Sequence, residues 1–313
     1  MSKSCEGEFF LKKAKQTKTI FILSYLIIMW GLNWPLTKLG LDFAPPLLFA
    51  GLRTILGGLV LLIFTLHKYK NLRLKENWHL YIISSFLNVI LFYGLQSIGL
   101  SHMPAGLFSA IVYLQPLLLG IFSWLWLGES MHGLRIVGLI LGFLGVAVLG
   151  LSNSSGHISF IGIMLALGAA IGWGGGTVLV KKISDRVDMI WMVALQLLFG
   201  GILLLGIGFS VEKWSNIIWN TGFISNLLFI SIFIIAVGWL AFFVLINSGE
   251  ATKVGSYTFL IPLFSIVSSS VILDEVITIN LMIGLMLIIV SIYFVNSRPK
   301  SLGTNNPIVK RQY

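Results

Sequence analysis

Long apolar stretches separated by short polar connections run along almost the whole chain. A helix that crosses a lipid bilayer needs about 20 mostly apolar residues, and the chain has ten stretches close to that length. The pattern therefore predicts an all-α integral membrane protein with ten transmembrane helices. Their predicted bounds are Thr19–Gly40, Pro45–Leu66, Trp78–Leu100, Pro104–Leu127, Leu134–Leu151, Phe160–Val180, Met189–Phe209, Ile224–Asn247, Val254–Leu273 and Ile277–Val295.

Composition strengthens this interpretation. Of 313 residues, 57% are hydrophobic and 10% are charged, and the mean hydropathy is +0.96. Soluble domains carry about 25% charged and roughly 45–50% apolar residues, so a water-soluble enzyme, a disordered chain and a nucleic-acid binder are excluded. The lone Cys5 excludes an internal disulfide. No phosphate-binding glycine loop occurs, and we expect no cofactor and no metal.

The basic residues indicate how the chain is oriented. If ten helices cross, 18 of the 21 lysines and arginines fall on one side of the membrane. The positive-inside rule makes that side cytoplasmic, so both termini are predicted to be cytoplasmic in the cell membrane. The segment 1–18 is then a basic cytoplasmic segment, and 296–313 is a polar cytoplasmic tail. The net charge of +10 faces anionic lipid headgroups of the bilayer.

Residues recur in order along the two halves of the chain. The recurrence predicts a duplication, with one five-helix repeat over 19–151 and a second over 160–295. Five is an odd number, so the second repeat enters the membrane from the opposite side. Inverted repeats of this kind are common in secondary transporters, where the substrate site lies near the midplane. The pairs 146 apart are Pro116 with Pro262, Glu129 with Glu275 and Gly138 with Gly284; those 143 apart are Trp30-Gly31 with Trp173-Gly174, Lys38 with Lys181 and Gly57-Gly58 with Gly200-Gly201.

Several of these residues resemble a known family. The run Trp30-Gly31-Leu32-Asn33-Trp34, Arg53, and Pro116 followed by Leu127-Gly128-Glu129 are similar to the EamA-type units of the drug/metabolite transporter superfamily. The resemblance covers about 19–297. It implies a ten-helix carrier whose central cavity is built by both repeats. It also implies small metabolites as substrates, including amino acids, often moved by export. The second copy departs from the pattern, with Gln196 at the arginine position and Asp274 before the glutamate.

Arg53 is the only ionisable residue well inside a predicted span. An intramembrane charge is costly and should face the protein interior or water. One interpretation makes Arg53 an anchor for a substrate carboxylate or phosphate, because guanidinium binds such groups bidentately. The other makes it a structural hydrogen-bond donor, or a side chain that snorkels to the surface.

The first helix and its counterpart in the second half carry a second group of candidates. Trp30, Asn33 and Trp34 lie within about a turn and a half, next to Pro35, which can kink the helix. They either line a cavity or anchor the helix at the lipid interface. Trp173 and Thr177 flank three consecutive glycines, which are poor helix formers and predict a break or a close-packing point.

Polar residues in the remaining spans complete the candidate set, because such side chains either bridge helices or contact substrate. Glu129, Asp274 and Glu275 end their helices and are expected to cap neighbouring helices or to gate the cavity mouth. The further candidates for substrate binding are Gln96, Tyr113, Asn247 and Tyr257.

The sequence thus predicts a secondary transporter for small metabolites, amino acids or related polar compounds, with export as one direction and with no enzymatic activity. None of the 11 acidic residues lies mid-span, although proton-coupled pumps usually keep one there. A multidrug or lipid transporter and an integral-membrane enzyme are the alternatives. The expected partners are a small-molecule substrate and the lipid bilayer, with no nucleic acid; monomer and homodimer both stay open.

Overall fold

A computed structural model of the chain describes residues 2–128, 133–150, 159–245 and 260–296. Secondary structure in these residues is helical, and none of them lies in a strand. The helices are α1 (Ser2–Gly40), α2 (Pro46–Thr65), α3 (Leu74–Leu100), α4 (Ala105–Leu127), α5 (Gly133–Gly150), α6 (Phe160–Ile183), α7 (Met189–Val211), α8 (Thr221–Phe229, Ile230–Val237 and Gly238–Leu245), α9 (Leu260–Leu273) and α10 (Ile279–Asn296).

Seven helical segments are long and apolar enough to cross a membrane: those of α1 to α4 and of α6 to α8. Three shorter apolar segments lie in α5, α9 and α10. The chain is therefore a multi-pass membrane protein, while the count of ten crossings stays a prediction. Most observed ends fall within a few residues of the predicted ones. The α1 helix begins well before its predicted start, at Ser2, because hydropathy marks where a helix is apolar and not where it starts. The predicted ends at Asn247 and Val254 lie outside the described residues.

Two helices contain π-helical segments, Phe86–Gly94 in α3 and Ile230–Val237 in α8. They occupy corresponding places in the two halves of the sequence. Helix α4 is interrupted after Val112 and resumes at Gln115, where Pro116 has no N–H to continue the hydrogen-bond ladder. By contrast α1 runs through Pro35 to Gly40.

The predicted break at the three glycines of α6 is wrong, whereas the predicted close packing is confirmed. Residues Phe160–Ile183 form one continuous helix. A Cβ placed on Gly174 would lie 3.2 Å from Leu118 Cβ, and one on Gly176 would collide with the amide of Asn88. The glycines stay helical because neighbouring helices fill the space that their missing side chains leave.

The most extensive helix contacts join the two halves of the chain, α2 with α7 and α5 with α10. We call the α2–α7 contact the central seam. A Cβ on Gly58 would lie 2.9 Å from Leu198 Cγ, and a Cβ on Gly201 would lie 2.7 Å from Ile55 Cγ1. Small residues let helix backbones approach closely, which is the usual way that helices associate in membranes.

Two carboxylates cap helices that are remote in sequence. Glu212 accepts hydrogen bonds from the backbone nitrogens of Leu47 and Leu48 at the start of α2, both at 2.9 Å. These caps satisfy N–H groups that a helix start leaves without partners.

Glu275 accepts from the nitrogens of Ala105 and Gly106, at 2.6 and 2.9 Å. It also pairs with Lys38 Nζ at 3.4 Å. Lys38 in turn donates to the Met103 carbonyl at 2.8 Å. We call this group the Lys38–Glu275 clamp; it joins the ends of α1 and α9 to the start of α4. The predicted capping role of Glu275 is confirmed, and Glu129 lies outside the described residues.

Candidate substrate cavity

A cavity lies at mid-length between helices from both halves of the chain. It holds about 380 Å³ of empty space, including the part open to solvent. Helices α1, α3 and α4 contribute walls from the first half, and α6 and α8 contribute walls from the second. Its lining consists of Trp30, Asn33, Trp34, Phe92, Tyr93, Tyr113, Trp173, Ile234 and Trp239.

Aromatic rings in mutual contact make up most of this lining. Trp173 stacks on Phe92 with ring centroids 5.0 Å apart and meets Tyr113 edge-on at 5.7 Å. Trp30 lies edge-on to Trp239 at 5.7 Å. Edge-to-face and offset contacts of this kind are favourable for aromatic pairs. We call the set Trp30, Trp34, Phe92, Tyr93, Tyr113, Trp173 and Trp239 the aromatic box.

Two ring contacts in the box join the two halves of the chain. Trp30 and Trp173, 143 apart in sequence, have centroids 6.2 Å apart. Trp239 Nε1 donates to the hydroxyl of Tyr93, 146 residues away, at 3.3 Å. The cavity therefore lies where equivalent positions of the two halves meet.

Arg53 lies behind the cavity wall and is fully buried, with 0% of its surface exposed. Its guanidinium donates to Thr37 Oγ1 at 2.6 Å. It also donates to Gln96 Oε1 at 2.9 Å and to Ser97 Oγ at 3.1 Å. The carbon Cζ lies 5.2 Å from the ring centroid of Tyr93. The side chain thus acts as a buried hydrogen-bond donor and does not snorkel.

A weak hydrogen bond links Arg53 to the cavity. Thr37 Oγ1 donates to Asn33 Oδ1 at 3.4 Å, and Asn33 lines the cavity. Apart from the polar atoms of the aromatic residues, Asn33 contributes the polar group of the described lining. No acidic or basic side chain belongs to the part of the lining that the structure describes.

The predicted site residues fall into three groups. Trp30, Asn33, Trp34, Tyr113 and Trp173 line the cavity together, so the tryptophans of α1 stand in the protein interior and not at a lipid interface.

The second group lies behind the wall and consists of Arg53, Gln96 and Thr177. Thr177 Oγ1 donates to the Trp173 carbonyl at 2.7 Å and accepts from Gln115 Nε2 at 3.4 Å. The third group, Asn247 and Tyr257, lies outside the described residues.

Sequence reasoning missed Phe92, Tyr93, Ile234 and Trp239. Tyr93 and Trp239 are aromatic residues with a polar atom inside predicted spans, as Tyr113 and Trp30 are, and this property could have identified both. Phe92 and Ile234 carry no such signal, since nothing sets them apart from other apolar residues in their helices.

Comparisons with known proteins agree with a membrane carrier. The profile of the EamA-like transporter family matches residues 17–151 and again 160–297. The uncharacterized transporter YvbV of Bacillus subtilis (strain 168) is 57% identical over 291 residues, which cover 93% of this chain and 95% of that protein. A probable amino-acid metabolite efflux pump of Escherichia coli (strain K12) is 28% identical over 282 residues, covering 86% of this chain and 91% of the pump.

A solved crystal structure of a protein shares the fold with a TM-score of 0.65 at 20% identity. The match covers 89% of this chain and 96% of that one. At this identity the likeness concerns the fold alone.

Proposed function

The chain belongs to the EamA-like transporter family, and from that premise we propose that it is a secondary carrier of small polar metabolites. It works by alternating access, exposing one central site to each side of the cell membrane in turn. The observation that carries the proposal is the cavity at mid-length, whose lining comes from both halves of the chain. Substrate sites of secondary transporters lie near the midplane between repeats.

The proposed halves are inverted five-helix repeats over 19–151 and 160–295. The central seam supports this arrangement, because Gly58–Leu198 and Ile55–Gly201 are two copies of one contact related by a shift of 143. Ser291 also donates to the Gly138 carbonyl, which corresponds by a shift of 146 to the close approach of Gly145 and Gly284. Corresponding residues that contact each other reciprocally are expected around a two-fold axis.

The proposed substrates are amino acids or related polar compounds, with export as the proposed direction. One relative is named a probable amino-acid metabolite efflux pump. The amide of Asn33 supplies a hydrogen-bonding group at the cavity, and the box supplies apolar surface, which together suit a small amphiphilic molecule. The segments 1–18 and 296–313 are proposed to be cytoplasmic.

Flux into liposomes containing the purified protein tests the proposal. Labelled amino acids should cross faster than in empty liposomes, and Trp173→Ala should abolish most of that flux because it removes the ring at the centre of the box. Trp126→Ala is the matched control, since Trp126 is 54% exposed and lies outside the box. Equal loss in both variants, or no amino-acid flux at all, would contradict the proposed function.

A multidrug carrier of organic cations is the second candidate, and the aromatic box favours it. Ring faces attract cations, and aromatic cages bind quaternary ammonium groups. The same liposomes separate the two candidates, because flux of organic cations without flux of amino acids would identify the multidrug carrier.

A further inference from the structure

The hydrogen bonds between Arg53 and the cavity all point in one direction. A guanidinium has only donors, so Thr37 Oγ1 must accept from Arg53 at 2.6 Å. The threonine proton is then directed to Asn33 Oδ1 at 3.4 Å. With this hydrogen bond on its oxygen, the amide of Asn33 keeps two N–H donors for a ligand in the cavity that it lines. An N–H donor at this point suits a carboxylate oxygen of the substrate.

Among the described residues, the charge behind this chain of hydrogen bonds is not paired with an opposite charge. In the described part of the chain no carboxylate pairs with Arg53, whose partners there are hydroxyls, an amide and rings. Two further donors, Arg53 Nε and Gln96 Nε2, are buried and have no acceptor within the described ranges. One wall of the cavity is therefore backed by a positive charge and by surplus N–H groups.

The distance is short enough for this charge to affect a ligand. Arg53 Cζ lies 5.2 Å from the ring centroid of Tyr93, and that ring lines the cavity. A charged group in contact with Tyr93 is then on the order of 10 Å from the guanidinium. At an effective dielectric constant of about 20, one unit charge at that distance changes affinity by about tenfold. The effect favours an anionic group and opposes a cationic one.

The aromatic box determines which uncharged part of a ligand fits the cavity. Its rings offer flat apolar surfaces on which another ring can stack or lie edge-on. Without Arg53 the same rings would favour a cation, so the two features would select different ligands if each acted alone.

We propose that the cavity selects carboxylates that carry a ring, and that Arg53 sets this charge preference from behind the wall. Arg53 is a positioning residue, acting through Thr37 and Asn33, and it does not touch the ligand. The inference rests on the proposed function, because it specifies the substrate class of the same cavity.

Three ligands that share a phenyl ring test the charge preference: 3-phenylpropionate, phenylalanine and phenethylamine. Binding to the purified protein is measured in detergent by the quenching of tryptophan fluorescence. We expect the acid to bind at least tenfold more tightly than the amine. The charge of Arg53 favours the acid and opposes the amine by about tenfold each, while the rings attract the amine. Phenylalanine, which carries both charges, should fall between them or match the acid.

Substitutions identify the residue responsible. Arg53→Lys keeps the charge and should keep most of the preference. Arg53→Met should reduce the acid-to-amine ratio by about a hundredfold, because the charge acts about tenfold on each ligand and in opposite directions. Thr37→Val breaks the hydrogen-bond chain and should lower the ratio in part. Asn33→Asp places a negative charge at the cavity and should reverse the order, which also keeps the test valid if Arg53→Met does not fold.

Two results would overturn the inference. One is a wild-type protein that binds the amine as tightly as the acid. The other is an Arg53→Met variant that weakens both ligands equally, since a purely structural role would do that.

Transport is scored separately in liposomes. If the acid binds more tightly than the amine but no flux is measured, the carrier function is refuted and the charge preference of the cavity stands. If amino acids without a ring are transported but the acid and the amine bind equally, the carrier function stands and the charge preference is refuted.

Discussion

The residue directly after α4, Gly128, has a φ of +68°, in the left-handed region that glycine adopts without cost. The corresponding end of α9 has Asp274 with a φ of +53°. Aspartate is one of the few residues that visit this region as single positions. The departure from the family pattern at position 274 thus keeps the backbone conformation while changing the side chain.

Gly128→Ala should lower the free energy of unfolding by about 1 kcal/mol, because alanine pays the steric cost of positive φ. No described residue has an atom within 4 Å of a Cβ at this position, so contacts with them do not interfere. Gly206→Ala in α7 is the control, since its Cβ also meets nothing within 4 Å. Because position 206 is helical, Gly206→Ala should raise the free energy of unfolding by roughly 0.5–1 kcal/mol. Chemical unfolding in detergent measures both, and a stabilised Gly128→Ala would contradict the argument.

At this scale the sequence predicted which side chains deserve attention but not all of their positions. Trp30, Asn33 and Trp173 stood out as aromatic or polar residues that recur or interrupt apolar stretches, and they line the cavity. Arg53 stood out equally, yet it lies one residue behind the wall. Which face of a helix turns to a cavity depends on how neighbouring helices are rotated, and a uniformly apolar helix carries no pattern that sets that rotation.

Helix pairing depends on where the small residues lie. In the central seam, the Cβ of a substituted Gly201 would meet Thr54 Oγ1 at 2.7 Å and the backbone nitrogen of Ile55 at 3.0 Å. A backbone atom cannot move aside as a flexible side chain can. Any side chain at Gly201 must therefore push α2 and α7 apart.

Gly201→Val should destabilise the protein by about 2 kcal/mol, as overpacking of a close contact usually does. Gly206→Val lies in the same helix on an open face and should change stability by less than half of that. Thermal unfolding in detergent, followed by circular dichroism, compares the two. Equal effects in both variants would mean that helix propensity dominates and that the seam contributes little.

The Lys38–Glu275 clamp combines a helix cap with an ion pair. Lys38→Met and Glu275→Gln, alone and together, should give a coupling free energy of about 0.5–1 kcal/mol in a double-mutant cycle. Glu212→Gln removes the charge from a cap without a lysine and should show no coupling to Lys38→Met. A coupling near zero between Lys38 and Glu275 would show that the carboxylate acts on the helix start alone.

For whole elements, hydropathy located the helices well because lipid exposure enforces long apolar stretches. The π-helical segments Phe86–Gly94 and Ile230–Val237 were not predicted, since π-helical turns have no sequence signature as plain as proline. The break expected in α6 failed because propensity measured in water does not count the helices that pack against Gly174 and Gly176.

At the scale of the whole molecule, the most extensive contacts, α2 with α7 and α5 with α10, join the first half to the second. The cavity lining is likewise shared by both halves. Neither half therefore holds the complete lining of the cavity, although each matches the family profile by itself.

Residues 1–155 and 156–313, expressed as two separate chains in the same cell, should assemble into one complex. A tag on one chain should co-purify the other, and the pair should bind the same ligands as the intact protein. Either chain expressed alone should be degraded or should aggregate, because its glycine-lined faces lack a partner. Stable single halves, or a pair that does not co-purify, would contradict this expectation.

The central seam also bears on ancestry. Its middle consists of one contact made twice, Gly58 against Leu198 and Gly201 against Ile55, and such reciprocity is the property of an isologous interface between identical subunits. Under the proposed inverted repeats, this is the interface that a single five-helix unit would form with its own copy in antiparallel orientation. Such a homodimer would carry the charge of Arg53 twice, whereas the present chain has Gln196 at the second position.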